Sequence, residues 1–338
     1  TGPVRWHPEA DQQRILAEAE QLFGQCIDLS KLLSEREDKQ AEIRAELSFV
    51  YEMQKRTELA EESLKESLEV LSRRQDKYGD FAIFSGLNYV QRRLAQCLAD
   101  QQKLDEAEKV MRNAWETMRQ IDPRNPKTLM TARELAVILA RMNRGDEAIE
   151  VYEYLITRDP INPSLHSSLA FAYWSTGRYE ESLEAARTTQ SLSPEFIGSH
   201  YAAGGAIEDL GDLEAALIET EKEVYEPYRL LGLSRIHNAL GHAAESDAAL
   251  QELIDRYGDS WAYNIAYTYA LRGEADPAFE WLDRAIANRD AGVGQVGSTK
   301  LFDKILDDPR WLPLLERLGM TPEQLAAIEF EVEVPGRR

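Results

Sequence analysis

Small residues recur along the chain in pairs whose members are separated by twelve positions. A large apolar residue usually precedes the first member of a pair, and another large residue follows it three positions later, as Leu135 and Leu139 do around Ala136. Where two helices cross closely, only Gly, Ala or Ser fits between them. The pattern therefore predicts seven antiparallel helix pairs. The small positions are Ser48 and Ala60, Ala95 and Ala107, Ala136 and Ala148, Ala170 and Ser182, Gly204 and Ala216, Ser234 and Ser246, and Ala266 and Ala278.

Turn and stop signals fall where such helix pairs require them. Glycine lies between the two small residues of four pairs, where a helix must end and the chain must reverse. Proline follows the second helix of several pairs and prevents its continuation, because proline lacks the amide hydrogen. The glycines are Gly177, Gly211, Gly241 and Gly273, and the prolines are Pro123, Pro160 and Pro194.

The repeated unit resembles the tetratricopeptide repeat. The block from Pro163 to Phe196 is most similar, with Leu169, Ala170, Tyr173, Gly177, Tyr179 and Pro194 in the family's places. The block from Leu129 to Asn162 is also similar, with Asn143 where the family usually has Gly. The resemblance implies an all-α fold, a right-handed superhelical solenoid of about seven tetratricopeptide-like helix pairs with terminal capping helices.

The chain divides into three predicted segments. Residues 1–40 form an N-terminal amphipathic helix, residues 41–290 form the repeat array, and residues 291–338 form a Gly-rich loop, short helices and a tail. Within the array, the predicted repeats are 41–87, 88–128, 129–162, 163–196, 197–226, 227–258 and 259–290.

An apolar seam marks the N-terminal segment, which is predicted to be one helix over residues 9–40. Its members follow alternating spacings of four and three, as in a coiled coil. The helix is either a cap on the first repeat, whose open face needs cover, or a stalk that forms a homodimer through residues 9–40. The seam residues are Ile15, Ala19, Leu22, Cys26, Leu29 and Leu33.

The C-terminal segment contains a literal GxGxxG at Gly292, Gly294 and Gly297. A dinucleotide site needs a strand before this motif, but here a helix is predicted, so we expect a loop with Ser298 or Thr299 capping the next helix. Further on, Asp308 to Trp311 and Thr321 to Gln324 are each expected to start a short helix. Residues 328–334 alternate apolar and acidic, a strand-like pattern that could lie along the repeats or pair with another chain.

Composition narrows the classes of partner. Lys and Arg number 39 against 60 Asp and Glu, for a formal charge of −21, which argues against nucleic acid. We expect no membrane insertion in this chain. The compartment stays open between cytoplasm and periplasm. We expect the sequence to be part of a longer protein, because it opens at Thr1 and because Trp261 to Met320 resembles the C-terminal repeat regions of bacterial multidomain signalling proteins.

The sequence offers no catalytic constellation. Motifs for nucleophilic hydrolysis, phosphate binding and kinase activity are missing, and the five histidines form no metal-binding motif. We therefore predict no enzyme activity, no cofactor and no metal site. The histidines are His7, His166, His200, His237 and His242.

In this family the first helices line a concave groove, and the sequence predicts the binding residues there. Arginine and rigid aromatic side chains often dominate binding energy. Arg92, Arg133 and Arg235 either attract an acidic or C-terminal-carboxylate peptide or pair with the protein's own acidic residues. The predicted groove residues are Arg92, Gln96, Arg133, Phe171, Trp174, Tyr201, Arg235, Asn238, Tyr263 and Tyr267.

We therefore expect a non-catalytic scaffold that binds a protein or peptide in this groove, as the interaction region of a larger bacterial signalling or regulatory protein. The alternative is a sensor that encloses a small molecule or short signal peptide within five aromatic side chains. These side chains are Phe171, Trp174, Tyr201, Tyr263 and Tyr267.

Overall fold

The structure, a computed structural model, describes residues 8–32, 37–78, 81–297, 299–321 and 323–324. These residues form helices joined by turns, with no strand among them. The all-α prediction is confirmed. The helices are α1 (Pro8–Leu32), α2 (Glu37–Met53), α3 (Thr57–Tyr78), α4 (Phe81–Asp100), α5 (Leu104–Ile121), α6 (Pro126–Arg141), α7 (Gly145–Ile156), α8 (Pro163–Ser175), α9 (Tyr179–Leu192), α10 (Ser199–Asp209), α11 (Leu213–Thr220), α12 (Glu226–Ala239), α13 (Ala243–Tyr257), α14 (Ala262–Arg272), α15 (Ala275–Ala287) and α16 (Trp311–Leu318).

The chain divides into two compact units, Thr1–Leu139 and Ala140–Arg338, called unit 1 and unit 2 below. In unit 1, α2 packs against α3, and α4 packs against α5. In unit 2 the packed pairs are α8 with α9, α10 with α11, α12 with α13, and α14 with α15. The first helices of neighbouring pairs in unit 2 also contact one another, so the pairs stack in sequence order.

The small residues are buried at all fourteen positions that the repeat pattern identified. The Ser182 hydroxyl donates to the carbonyl oxygen of Ala170 at 2.9 Å, which joins the two helices at their crossing. A methyl group added at Gly204 would lie 2.1 Å from the Thr220 hydroxyl oxygen. A larger side chain would separate the helices, so close crossing is what fixes the small residues at these positions.

The turn within each pair uses a residue with positive φ. The four predicted glycines take φ values of 77° to 93°. Asn143, Lys55 and Gln102 have φ between 57° and 64° in the corresponding turns of earlier repeats. Positive φ is sterically unfavourable for residues other than glycine. The backbone N–H of Arg56 then donates to the Tyr51 carbonyl at 2.9 Å, as that of Arg178 does to Tyr173.

The N-terminal helix differs from its prediction in length. α1 ends at Leu32 and α2 begins at Glu37, so residues 37–40 belong to the first repeat instead of to one helix over 9–40. α1 packs against α2, with Phe23 and Ile27 against Leu47 and Val50. This contact provides the cover that a cap requires.

The predicted coiled-coil seam is not the face of α1 that packs on α2. Ile15 and Leu22 are 53% and 60% exposed, and Cys26 is also exposed. Ala19 is the seam residue that contacts the small core between α1 and α2. The side chains of Leu29 and Leu33 lie outside the described residues. Dimerisation through residues 9–40 stays a prediction.

The C-terminal segment closes the last repeat of unit 2. A methyl group added at Gly292 would lie 2.1 Å from the Tyr263 ring, so this glycine is required by packing. Thr299 caps the short helix that follows, Lys300–Ile305, by accepting from the N–H of Leu301. Phe302 from that helix is fully buried. Ser298 and residues 325–338, including the alternating tail, lie outside the described residues.

Both expected helix starts in this segment have the predicted local structure. α16 begins at Trp311. Thr321 and Gln324 form reciprocal hydrogen bonds, because the N–H of each donates to the side-chain oxygen of the other at 3.1 and 3.2 Å. This is a capping box.

Candidate functional site

In unit 1, large side chains remain exposed on the first helices of successive repeats. Phe49 on α2 is 52% exposed, Tyr89 on α4 is 38% exposed and Val137 on α6 is 46% exposed. Most surface apolar residues stand singly, whereas Phe49 and Val137 both directly follow the first small residue of their repeats. We call the set the unit 1 face; its members are Phe49, Tyr89, Arg92, Gln96, Met130, Arg133 and Val137.

Phe49 and Tyr89 each contact the neighbouring first helix. Arg93 lies over the Phe49 ring, 5.5 Å from its centroid, and donates to Glu52 at 2.9 Å. Tyr89, one turn before Arg93, hydrogen-bonds Glu46 on α2. Partial burial, followed by this bond, raises the pKa of the Tyr89 hydroxyl, which stays neutral at pH 7.

The three polar residues predicted in unit 1 have different surroundings. The Arg92 guanidinium makes two hydrogen bonds to the carboxylate of Glu134, with Nε to Oε2 at 2.7 Å. Gln96 is exposed and donates to Asp100 at 2.7 Å. Arg133 is exposed, and no acidic residue within the described part of the chain pairs with it. Of these residues, Arg133 is the cation that stays available to a partner.

In unit 2 the predicted arginine is enclosed by the protein itself. Arg235 hydrogen-bonds Glu208 through Nε at 3.2 Å and through a second, closer contact from Nη2. Its guanidinium lies 5.0 Å from the centroid of the Trp174 ring. Burial opposes the charge on Arg235, but the neighbouring Glu208 carboxylate outweighs it and raises the arginine pKa. Arg92 and Arg235 thus each pair with an acidic residue of the protein itself.

Three predicted groove tyrosines belong to the core of unit 2. Tyr201, Tyr263 and Tyr267 are 5%, 5% and 6% exposed, which corrects their placement on an open wall. The Tyr201 and Tyr267 hydroxyl oxygens lie 3.4 Å apart. Tyr263 is covered by the C-terminal segment, whose Phe302 ring lies 5.9 Å away. Sequence periodicity does not reveal this cover, because the covering segment is not a repeat.

The remaining predicted residues of unit 2 border this core. Trp174 packs on the backbone of Gly205, where an added methyl group would lie 2.1 Å from the ring, and its indole N–H donates to Asp209 at 2.5 Å. Phe171 is partly buried, 6.2 Å from Trp174 between ring centroids. Asn238 is exposed. The aromatic side chains that the sensor alternative needs as cavity walls are instead in contact with one another.

Comparison with known families agrees with this architecture. One tetratricopeptide repeat family matches residues 87–157, and a second matches residues 133–195. The chain carries tetratricopeptide repeats. The two matches cover the region in which the small crossing residues Ala95, Ala107, Ala136 and Ala148 are buried.

Several known proteins are similar to this chain. Protein FlbA of Caulobacter vibrioides is 27% identical over 147 residues, which cover 43% of this chain and 24% of FlbA. A tetratricopeptide repeat protein from Parabacteroides merdae is 19% identical, with 72% of this chain and 93% of that chain covered and a TM-score of 0.43. Pseudomonas aeruginosa PilF is 14% identical, with 66% and 94% covered and a TM-score of 0.46.

Two residues of the unit 1 face are not among the positions that the tetratricopeptide resemblance identified. Tyr89 and Met130 lie six residues before the first small residue of their repeats, and both are exposed. That shared position is the signal that could have found them, because the same site on successive first helices faces the same way.

Neither a cluster of metal ligands nor a membrane-spanning helix occurs among the described residues. No three or more His, Cys, Asp or Glu side chains among them are grouped to hold a metal ion. Of the helices with described residues, none combines the length and the apolar character needed to cross a bilayer.

Proposed function

We propose that the chain is a protein-interaction scaffold that binds a peptide segment of its partner on the unit 1 face. Tetratricopeptide repeat families are generally non-catalytic and bind proteins or peptides. The observation that carries the proposal is the exposure of large side chains at two recurring positions of the first helices. Phe49 and Val137 directly follow the first small residue of their repeats, and Tyr89 and Met130 lie six residues before it. Aromatic anchors and Arg often supply much of the binding energy at protein interfaces, and the neighbouring apolar contacts exclude water around them.

The charges on the unit 1 face specify part of the partner's chemistry. Arg92 is neutralised by Glu134, whereas Arg133 has no acidic partner among the described residues. A peptide with apolar side chains and an acidic group, or its own C-terminal carboxylate, fits this arrangement, because a single accessible guanidinium favours one carboxylate. We place this function in a larger bacterial regulatory or signalling protein. The likeness of residues 261–320 to such proteins supports the regulatory role. The partial match to FlbA of Caulobacter vibrioides, 24% of which is covered, supports a larger bacterial protein.

A peptide selection tests the proposal. Random dodecapeptides displayed on phage are selected on the immobilised full chain, and the enriched sequences are synthesised and titrated by fluorescence anisotropy. We expect enrichment of peptides with a large apolar residue and a carboxylate. Val137→Asp should weaken their binding about tenfold or more, because it places a charge among apolar contacts.

Arg133→Glu separates the electrostatic part of the proposal from the apolar part. This change should weaken acidic peptides and leave a peptide with its acidic residues replaced by Gln nearly unaffected. The matched control for Val137→Asp is Ile218→Asp, which alters an apolar residue of unit 2 that is 60% exposed, against 46% for Val137. If no peptide is enriched, or if Val137→Asp and Ile218→Asp have equal effects, the proposal is wrong.

A further inference from the structure

Three aromatic side chains meet at the starts of two first helices in unit 2. Tyr225 directly precedes α12, Tyr228 lies in its first turn, and Trp261 directly precedes α14. The rings of Tyr225 and Trp261 stand at 76° and 85° to the Tyr228 ring, each with centroids 5.3 Å apart. Rings at this spacing and angle are in edge-to-face contact, so the three form one continuous aromatic surface. We call Tyr225, Tyr228 and Trp261, with the neighbouring Ile197 and Val224, the aromatic edge.

The aromatic edge rests on the core and reaches solvent. Tyr228 stacks on the buried Tyr201 at 4.9 Å with an interplanar angle of 9°. Gly198 leaves room for the Tyr228 ring, because an added methyl group would lie 3.3 Å from it. Ile197 is 53% exposed, Val224 is 50% exposed and Tyr225 is 38% exposed. The edge is thus a supported surface with apolar side chains on its rim.

The polar atoms of these rings have no partner within the described residues. The hydroxyls of Tyr225 and Tyr228 and the indole N–H of Trp261 make no hydrogen bond there, and none of them is enclosed away from solvent. Other rings of unit 2 use their donors internally: the Trp174 N–H donates to Asp209 at 2.5 Å and the Tyr257 hydroxyl to Glu226 at 2.6 Å. The aromatic edge therefore presents three accessible donors beside apolar ring surfaces.

Two carboxylates that are unpaired within the described part of the chain lie next to the aromatic edge in sequence, whereas the nearby Arg229 and Arg256 both pair with Glu226. Glu195 lies two residues before Ile197, and Asp259 lies two residues before Trp261; both side chains are exposed. Neither carboxylate is paired with a cation among the described residues. A ligand that carries Lys or Arg beside its apolar contacts complements these carboxylates.

We propose that the aromatic edge binds a proline-rich segment in the polyproline II conformation, with Lys or Arg at its end. Such a segment has no internal hydrogen bonds, so its carbonyl oxygens are free acceptors for the three ring donors. Its proline rings pack against the exposed parts of aromatic side chains. Because it is already extended, it loses little conformational entropy on binding. This surface is separate from the unit 1 face, and the proposal goes beyond the function proposed for that face.

The test uses a fluorescein-labelled decaproline peptide that ends in two arginines. Its anisotropy is measured while the full chain is titrated. We expect saturable binding with a Kd of about 10 to 200 µM, the strength of a small polar-aromatic contact. Trp261→Ala should weaken binding about tenfold, and Tyr228→Phe about threefold to tenfold through loss of one hydrogen bond. Asp259→Asn should weaken it more at low salt than at high salt.

Two controls separate the proposal from nonspecific effects. A Gly/Ser peptide of equal length and charge should not bind, and Tyr51→Phe in unit 1 should leave the Kd unchanged. Circular dichroism melting confirms that each variant is folded. The proposal is contradicted by absence of saturation at 1 mM protein, by equal binding of the Gly/Ser peptide, or by indifference to Trp261→Ala. It is also contradicted if light scattering shows a dimer that Trp261→Ala converts to a monomer, because the aromatic edge then holds a second copy of the chain.

Discussion

The carboxylate of Glu223 accepts a hydrogen bond from the backbone N–H of Gly198, with each of its oxygens 3.1 Å from that nitrogen. It also accepts from the N–H of Tyr201 at 3.1 Å and of Tyr225 at 3.0 Å. Glu223 is buried, and a buried charge is tolerated when it is fully hydrogen-bonded. One side chain therefore ties the start of α10 to the loop that precedes α12.

Replacing this carboxylate should destabilise unit 2. Glu223→Gln keeps the size of the side chain but turns one acceptor oxygen into an amide that faces N–H donors. We expect a loss of about 1–3 kcal/mol in the free energy of unfolding, measured by urea denaturation at pH 7. Glu221→Gln, at an exposed site two residues earlier, should change stability by less than about 0.5 kcal/mol. Equal effects of both changes would show that the network does not stabilise the fold.

The close helix crossings make a second prediction. Ala170→Leu forces a large side chain between α8 and α9, where the Ser182 hydroxyl meets the Ala170 carbonyl at 2.9 Å. Overpacking should cost about 1–3 kcal/mol or more and lower the midpoint of thermal unfolding. Ala248→Leu, on the exposed side of α13, is the matched control and should leave the midpoint nearly unchanged. A harmless Ala170→Leu would contradict the proposed role of the small residues.

Acid should weaken unit 1 through Glu61. Burial alone would raise the pKa of its carboxyl, but hydrogen bonds from Lys103 and Lys65 outweigh burial and lower the pKa to about 2. Because the folded pKa lies below the unfolded value of 4.5, the stabilisation is complete above about pH 4.5 and is lost as the pH falls towards 2.

A comparison of Glu61→Gln with the unchanged protein measures this effect. The free energies of unfolding should differ by at most about 3 kcal/mol at pH 7, and the difference should shrink steadily between pH 4.5 and pH 2. The adjacent Glu62→Gln, at an exposed site, provides the control. A difference that is independent of pH would mean that the ion pairs do not stabilise unit 1.

Removal of residues 1–40 distinguishes the cap from the stalk. We expect gel filtration with light scattering to show the same number of subunits for the shortened chain as for the full chain. The shortened chain should be less stable, because Leu47 and Val50 lose their cover from α1. Leu22→Glu in the full chain should not alter the mass either. A halved mass after either change would instead support the homodimer through residues 9–40.

Local sequence predicts the repeated parts of the fold well. The small residues at the crossings and the glycines in the turns both report constraints that act within one helix pair, so periodicity reveals them. The sequence does not identify Lys55 and Gln102 as turn residues, because neither residue type favours the positive φ that both adopt. Their turns are held by hydrogen bonds between the ends of the helices they join.

The binding surface was only partly predictable, because exposure depends on contacts distant in sequence. Arg92 and Arg133 occupy equivalent places in their repeats, but the neighbouring repeat supplies Glu134 to Arg92. Tyr263 has the pattern of a groove residue but is covered by a segment outside the repeats, with Gly292 against its ring. Helical periodicity identifies which face a residue lies on and not what covers that face.

Site-specific photocross-linking tests the proposed peptide site on the unit 1 face most directly. A benzophenone side chain placed at Gln96, in the middle of that face, is irradiated with a peptide from the phage selection, and the product is mapped by mass spectrometry. We expect efficient cross-linking at Gln96 and little at Ile218, where the same group is placed in unit 2. Cross-linking at Ile218 that equals or exceeds that at Gln96 would contradict the proposed peptide site.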